Sequence, residues 1–103
     1  MLESVTRGNT TTVIFDNEKI SKNLQSLKNI YSQARSGTEF ILDFCNVKSI
    51  DINAIGVMLR MHQNLSNSQS TITCTNCQPD ILQIFEFSNL VKIFHFPQYE
   101  KAA

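Results

Sequence analysis

No run of apolar residues in this chain lasts more than a handful of positions, far short of the ~20 that a membrane-spanning helix needs. Membrane insertion is therefore not expected. The N-terminus lacks the basic and then apolar segments of a secretory signal, and three cysteines are an odd count for a disulfide framework. A reducing, cytoplasmic address is the expectation. Charge of one sign is missing too: nine basic and nine acidic residues cancel, and Lys and Arg occur only singly. Phosphate backbones call for a basic stripe, so nucleic acid is excluded as a partner, while low net charge suits a protein that adheres to another protein. Three glycines form no phosphate-cradling loop. Nothing sets a nucleophile beside a base, so neither catalysis nor a cofactor is expected.

What remains is a composition fit for one core. Hydrophobic residues are 42% and charged residues 17% of 103, which argues against disorder and for a single domain over 1–103. Only 98–103 reads as a frayed tail.

Leu2 to Arg7 reads as a strand, Gly8-Asn9 as a two-residue hairpin turn, and the β-branched stretch Thr10 to Phe15 as the second strand. From Glu18 to Arg35, Ile20, Leu24, Leu27, Ile30, Tyr31 and Ala34 recur at helical spacing, with Gly37 as a left-handed cap. Glu39 to Cys45 is apolar enough to predict a third strand buried on both faces. A helix to Asn67 follows, with Asn53 as N-cap, Ala54, Val57, Met58, Met61 and Leu65 inward, and Arg60, Gln63 and Asn64 outward. Ser70 to Cys74 alternates as a fourth strand. Pro79 opens a third helix with Asp80 in its first turn, and Val91 to Phe96 reads as a last strand. Strands alternating with helices predict an α/β fold with a mainly parallel sheet.

The stretch from Phe40 to His62 carries the most information. A strand runs into a short polar turn and a helix opens at once, and in parallel sheets ligands gather at that mouth. The turn holds Asp51, Ile52 and Asn53.

Asp51-Ile52-Asn53-Ala54-Ile55-Gly56-Val57, followed by Pro79 and then Ile84-Phe85-Glu86-Phe87-Ser88-Asn89-Leu90-Val91-Lys92-Ile93, resembles the paired motifs of the STAS domain. Its members include bacterial anti-sigma factor antagonists and sulfate-transporter tails. The resemblance covers nearly the whole chain. It implies a SpoIIAA-like fold: a mainly parallel sheet of four to five strands with an N-terminal hairpin, packed with three to four helices. It also implies a non-catalytic module of a partner-switching pathway. The partner would be a GHKL-type Ser kinase that is also an anti-sigma factor, or another STAS protein. Docking would use Asp51, Ile52, Asn53, Ala54 and Gly56 together with Arg60, Gln63 and Asn64. The family's phosphoacceptor Ser is Ile52 here, and the next position, Asn53, is no acceptor either. Its first motif Gly is Ala54, and its acidic turn after the second strand reads Ile14-Phe15-Asp16-Asn17.

Each residue has a plainer reading. Asp51 suits a helix N-terminus on dipole grounds alone. Ile52 is either a partner anchor or a tolerated loop substitution. Cys74-Thr-Asn-Cys77 has redox-motif spacing, with Cys45 on a neighbouring strand, but no helix opens at Cys74. A zinc site would need a fourth ligand, and His62 lies on a helix with no fixed geometry to the three thiols. Buried small hydrophobes are the expectation, and no metal. His95 should face water, Asp43 should be a satisfied strand residue, and Ser88 a cap. Two other functions stay open beside the interaction module: an accessory subunit of a transport complex, and a thiol sensor or metal site.

Overall fold

The computed structural model describes residues 3–15, 20–65 and 69–97. Strands β1 (Glu3–Arg7), β2 (Thr10–Ile14), β3 (Glu39–Asp43) and β4 (Thr71–Thr75) form one sheet in the order β1-β2-β3-β4. β1 is antiparallel to β2, and the other two pairings are parallel. Helix α1 (Leu24–Ser32) crosses from β2 to β3, α2 (Ile52–Leu65) from β3 to β4, and α3 (Pro79–Phe87) follows β4. This is the expected α/β architecture.

Sequence accounts for each element. Gly8 takes φ 62 between the paired residues Arg7 and Thr10, the positive φ that tight hairpin turns need at their first central position. The register stacks Val13, Leu42 and Cys74 in one row across the sheet and Thr11, Phe40 and Ile72 in the next. All six are buried. Against this face pack Leu27 and Tyr31 of α1, the whole stripe Ala54, Val57, Met58, Met61 and Leu65 of α2, and Ile81 and Phe85 of α3. A chain of rings, Phe15–Phe44–Phe85–Phe96, runs through this core with centroid separations of 5.1, 5.4 and 5.1 Å, each contact adding about 0.5–1.5 kcal/mol beyond burial.

Several expectations are corrected. β3 is not buried on both faces: Phe40 and Leu42 are covered, whereas Ile41 and Asp43 are half-buried. It ends at Asp43, whose Oδ1 accepts the Cys45 N–H at 2.9 Å and an Asn76 Nδ2–H at 3.2 Å, turning the backbone out of the sheet. Within the described residues the first helix begins as a 3₁₀ turn, Ile20–Asn23, and it stops at Ser32; its expected start at Glu18 lies outside them. Gly37 does have φ 79 but caps nothing. It lies in a turn where the Thr38 N–H and hydroxyl both donate to the Arg35 carbonyl.

Val91 to Phe96 is not a strand. Asn89 turns left-handed (φ 63), Leu90–Lys92 forms a 3₁₀ turn, and only His95 bridges to β4 at Thr73. Leu90, Phe94 and Phe96 are all buried in the core, and the 3₁₀ turn that holds Leu90–Lys92 leaves Val91 and Lys92 without a ladder partner. Leu2, the Asp16-Asn17 turn, the end of the second helix at 66–67 and the tail 98–103 lie outside the described residues.

Candidate functional site

Parallel strands all end on one rim of the sheet, and the helices that follow them begin there. At this rim Asp51 is the N-cap of α2: its Oδ1 accepts the Ala54 N–H at 2.9 Å and its carbonyl accepts the Ile55 N–H at 3.2 Å. The expected cap, Asn53, is instead inside the helix's first turn, one residue after Ile52. An aspartate here satisfies a donor that the helix cannot satisfy itself and also meets the positive end of its dipole. The plain reading of Asp51 therefore holds as chemistry.

With Asp51 as cap, Ile52 is the first helical residue and its side chain is thrown into solvent at 82% exposure. Asn53 and Gly56 are exposed beside it, and a Cβ built on Gly56 would meet nothing within 4 Å. Ala54 departs from its expected place in a docking surface. Its methyl is fully buried and belongs to the core, because the third helical residue points inward once the helix starts at Ile52.

A groove of ≈330 Å³ runs between α1 and α2, lined by Leu24, Lys28, Ile52, Asn53, Gly56, Val57 and Arg60. The structure thus brings four of the expected residues together: Ile52, Asn53, Gly56 and Arg60. Gln63 and Asn64 are exposed further along α2, outside the lining. Leu24 and Lys28 were missed by sequence reasoning. Their four-residue spacing puts them on one face of α1, but which face meets α2 is a tertiary fact.

A larger cleft of ≈550 Å³ lies at the opposite rim, between the hairpin and the end of α1. Its polar groups largely serve one another. The Thr6 and Thr11 hydroxyls lie 3.0 Å apart, Thr38 donates to the Arg35 carbonyl, and an Asn9 Nδ2–H donates to that of Gly37.

The sequence profile of the STAS domain matches residues 3–103. The chain belongs to the STAS domain family. A STAS-domain containing protein of Pseudomonas aeruginosa (strain UCBPP-PA14) is 24% identical over 71 residues, covering 68% of this chain and 70% of that protein. Among solved structures, a putative anti-sigma factor antagonist of Thermotoga maritima superposes with a TM-score of 0.78 at 16% identity, covering 92% of this chain and 84% of its own. An anti-sigma-factor antagonist (STAS) domain protein of Planctomyces limnophilus gives 0.80 at 10% identity over 92% and 87%. The anti-sigma factor antagonist SpoIIAA in its unphosphorylated form gives 0.68 at 15% identity over 99% and 92%. At these identities the structures share the fold with this chain.

Within this STAS fold the three thiols have separate environments. Cys74 and Cys77 are buried, and burial pushes Cys74 well up and Cys77 up to about 12. Cys45 is exposed, and its hydrogen bond with the Asp43 carboxylate raises it as well. Raised thiols are poor nucleophiles and poor metal ligands. Among the described residues no group of three His, Cys, Asp or Glu side chains could hold a metal ion, and no helix is long and apolar enough to cross a membrane. His95 is exposed, and Ser88 caps α3 with its hydroxyl donating to the Ile84 carbonyl at 2.9 Å.

Proposed function

We propose that this STAS domain is a cytoplasmic, non-catalytic protein-interaction module of a bacterial partner-switching pathway, acting in the manner of an anti-sigma factor antagonist. Its partner would be a GHKL-type Ser kinase that is also an anti-sigma factor, or another STAS protein. Docking would use the opening turn of α2, with Asp51 holding the turn in shape and Ile52, Asn53, Gly56 and Arg60 making contact. The observation that carries this reading is Ile52, 82% exposed at the start of α2 beside a groove. An isoleucine in that setting contributes about 1.5–3 kcal/mol once a partner covers it. Ile52 stands where family members carry the phosphoacceptor and has no hydroxyl, so this turn would not be switched by phosphate. Regulation would fall to abundance or to the partner's nucleotide state.

The test is calorimetric binding of the GHKL-type kinases encoded in the same genome to wild type, Ile52→Asp and Phe87→Ser. Phe87 is the control, since it is equally exposed at 81% but at the far end of α3. Ile52→Asp should melt like wild type, because a helix N-terminus accepts an anion, yet bind about a hundredfold more weakly, a change of about 2.7 kcal/mol. Phe87→Ser should bind normally. Wild-type affinity in Ile52→Asp would place the interface elsewhere.

A further inference from the structure

The groove beside Ile52 is cationic on both walls. Lys28 projects from α1 and Arg60 from α2, and the remaining lining residues are Leu24, Ile52, Asn53, Gly56 and Val57. No carboxylate among the described residues lines it. Among the described residues neither cation is engaged in an ion pair or hydrogen bond. The nearest acid along α2, Asp51, already accepts the Ala54 N–H. In a chain whose charges sum to zero, two unpaired cations flanking an apolar floor are a local excess. At ≈330 Å³ the groove is at the small end of ligand cavities. It suits one apolar side chain better than a whole small molecule.

We propose that this groove binds an acidic protein segment: one that seats an apolar side chain on Leu24, Ile52 and Val57, with carboxylates on either side reaching Lys28 and Arg60. This rests on the docking reading of the α2 turn and adds the chemistry of its partner. The argument is complementarity. The apolar floor supplies the affinity and the two cations supply selection and orientation, since charge arranged around a contact governs partner choice and on-rate more than tightness. Gly56 has a further part in this. Without a side chain it keeps the floor open between Ile52 and Arg60, which lie on either side of it along α2.

The experiment needs no identified partner. Two helical peptides of the same length, each with a central leucine pair, are titrated at up to millimolar concentration into ¹⁵N-labelled protein. One has glutamates flanking the leucines, the other lysines. The acidic peptide should shift the amides of Lys28, Ile52, Gly56 and Arg60, and the basic peptide should leave them unmoved. Reversing both cations (Lys28→Glu with Arg60→Glu) should weaken acidic-peptide binding about tenfold, given ~0.2–1 kcal/mol per exposed pair. Raising salt from about 0.05 to 0.5 M should weaken it as well, because exposed charges are screened over a shorter distance. Equal response to both peptides, shifts mapping away from the groove, or no shift at all would overturn the proposal. So would concentration-dependent shifts of the same amides without peptide, which would make a second copy of this chain the occupant. Because the kinase measurement with Ile52→Asp is separate, tight kinase binding that ignores the double charge reversal would sink the acidic-segment proposal and leave the docking reading standing.

Discussion

The Asp51 carboxylate accepts the Ala54 N–H at 2.9 Å, and this one bond decides where α2 begins. With the helix starting at Ile52, Ala54 faces the core and Ile52 faces solvent. A start two residues later, at the expected Asn53 cap, would leave the turn's exposed residues on a different bearing. Asp51 thus fixes the direction in which Ile52 projects.

Removing that cap should cost stability first. Asp51→Ala is expected to lose about 1 kcal/mol, or roughly 4–8 °C in melting temperature for a chain of this size. Asp51→Asn, which can still accept the bond, should lose much less. Thermal melts followed by circular dichroism decide it. An unchanged melt for Asp51→Ala would mean that the bond does not hold the turn.

Phosphorylation should skip the turn. When the protein is incubated with a GHKL-type Ser kinase and ATP, mass spectrometry should find no phosphate between Ser49 and Gly56, although Ser49 is exposed. Ile52→Ser supplies an acceptor and should gain phosphate with a kinase that binds the chain. Stoichiometric phosphate on Ser49 of wild type would show that the motif's register differs from the one read here.

The buried thiols set a limit on the alkaline side. Both Cys74 and Cys77 have raised pKa values in the fold, Cys77 at about 12, against 9.0 for an unperturbed thiol. The native state therefore keeps protons that the unfolded chain releases near pH 9. Stability from this source is complete below that pH and is lost as pH rises toward the folded values, at up to about 1.4 kcal/mol per pH unit per thiol. Urea midpoints measured from pH 7 to 10.5 should fall above pH 9, and Cys77→Ala should flatten the slope. Iodoacetamide at pH 8 should label Cys45 alone until denaturant is added. Labelling of all three thiols in the native state would contradict their burial.

Asn89 offers a cleaner backbone test. It holds φ 63, and its carbonyl accepts the Lys92 N–H at 3.1 Å. Asparagine tolerates this conformation better than other side chains, and glycine better still. Asn89→Gly should be neutral or stabilising by a few tenths of a kcal/mol, and Asn89→Ala should cost about 1 kcal/mol. Equal melts for the two variants would remove the left-handed turn as a constraint.

Where sequence reading succeeded, the signal was long and periodic. The five inward positions of α2 were all legible because the stripe repeats over four turns. The family motifs likewise pointed to the fold. It failed where runs are short. Val91 to Phe96 is six residues, too few to separate a strand from a segment that coils into a core, and the left-handed Asn89 with the 3₁₀ turn at Leu90–Lys92 decides it. Asn53 and Asp51 are both good caps, and only the geometry distinguishes them. Lys28 could not be found at all, since a groove between two helices belongs to neither helix's own pattern.

The connectivity itself has an electrical consequence. Every helix follows a strand of the parallel set, so α1, α2 and α3 all start on the same rim, and their dipoles point the same way, each leaving about half a positive charge there. Asp51 at α2 and Asp80 in the first turn of α3 offset two of these. Among the described residues the first turn of α1 carries no acid. Over those residues the molecule thus has a heading: the uncompensated end is that of α1, the helix that also carries Lys28. An acidic surface arriving from solution would be rotated rim-first before any side chain is touched, and that torque would fade with added salt while the apolar contact itself would not.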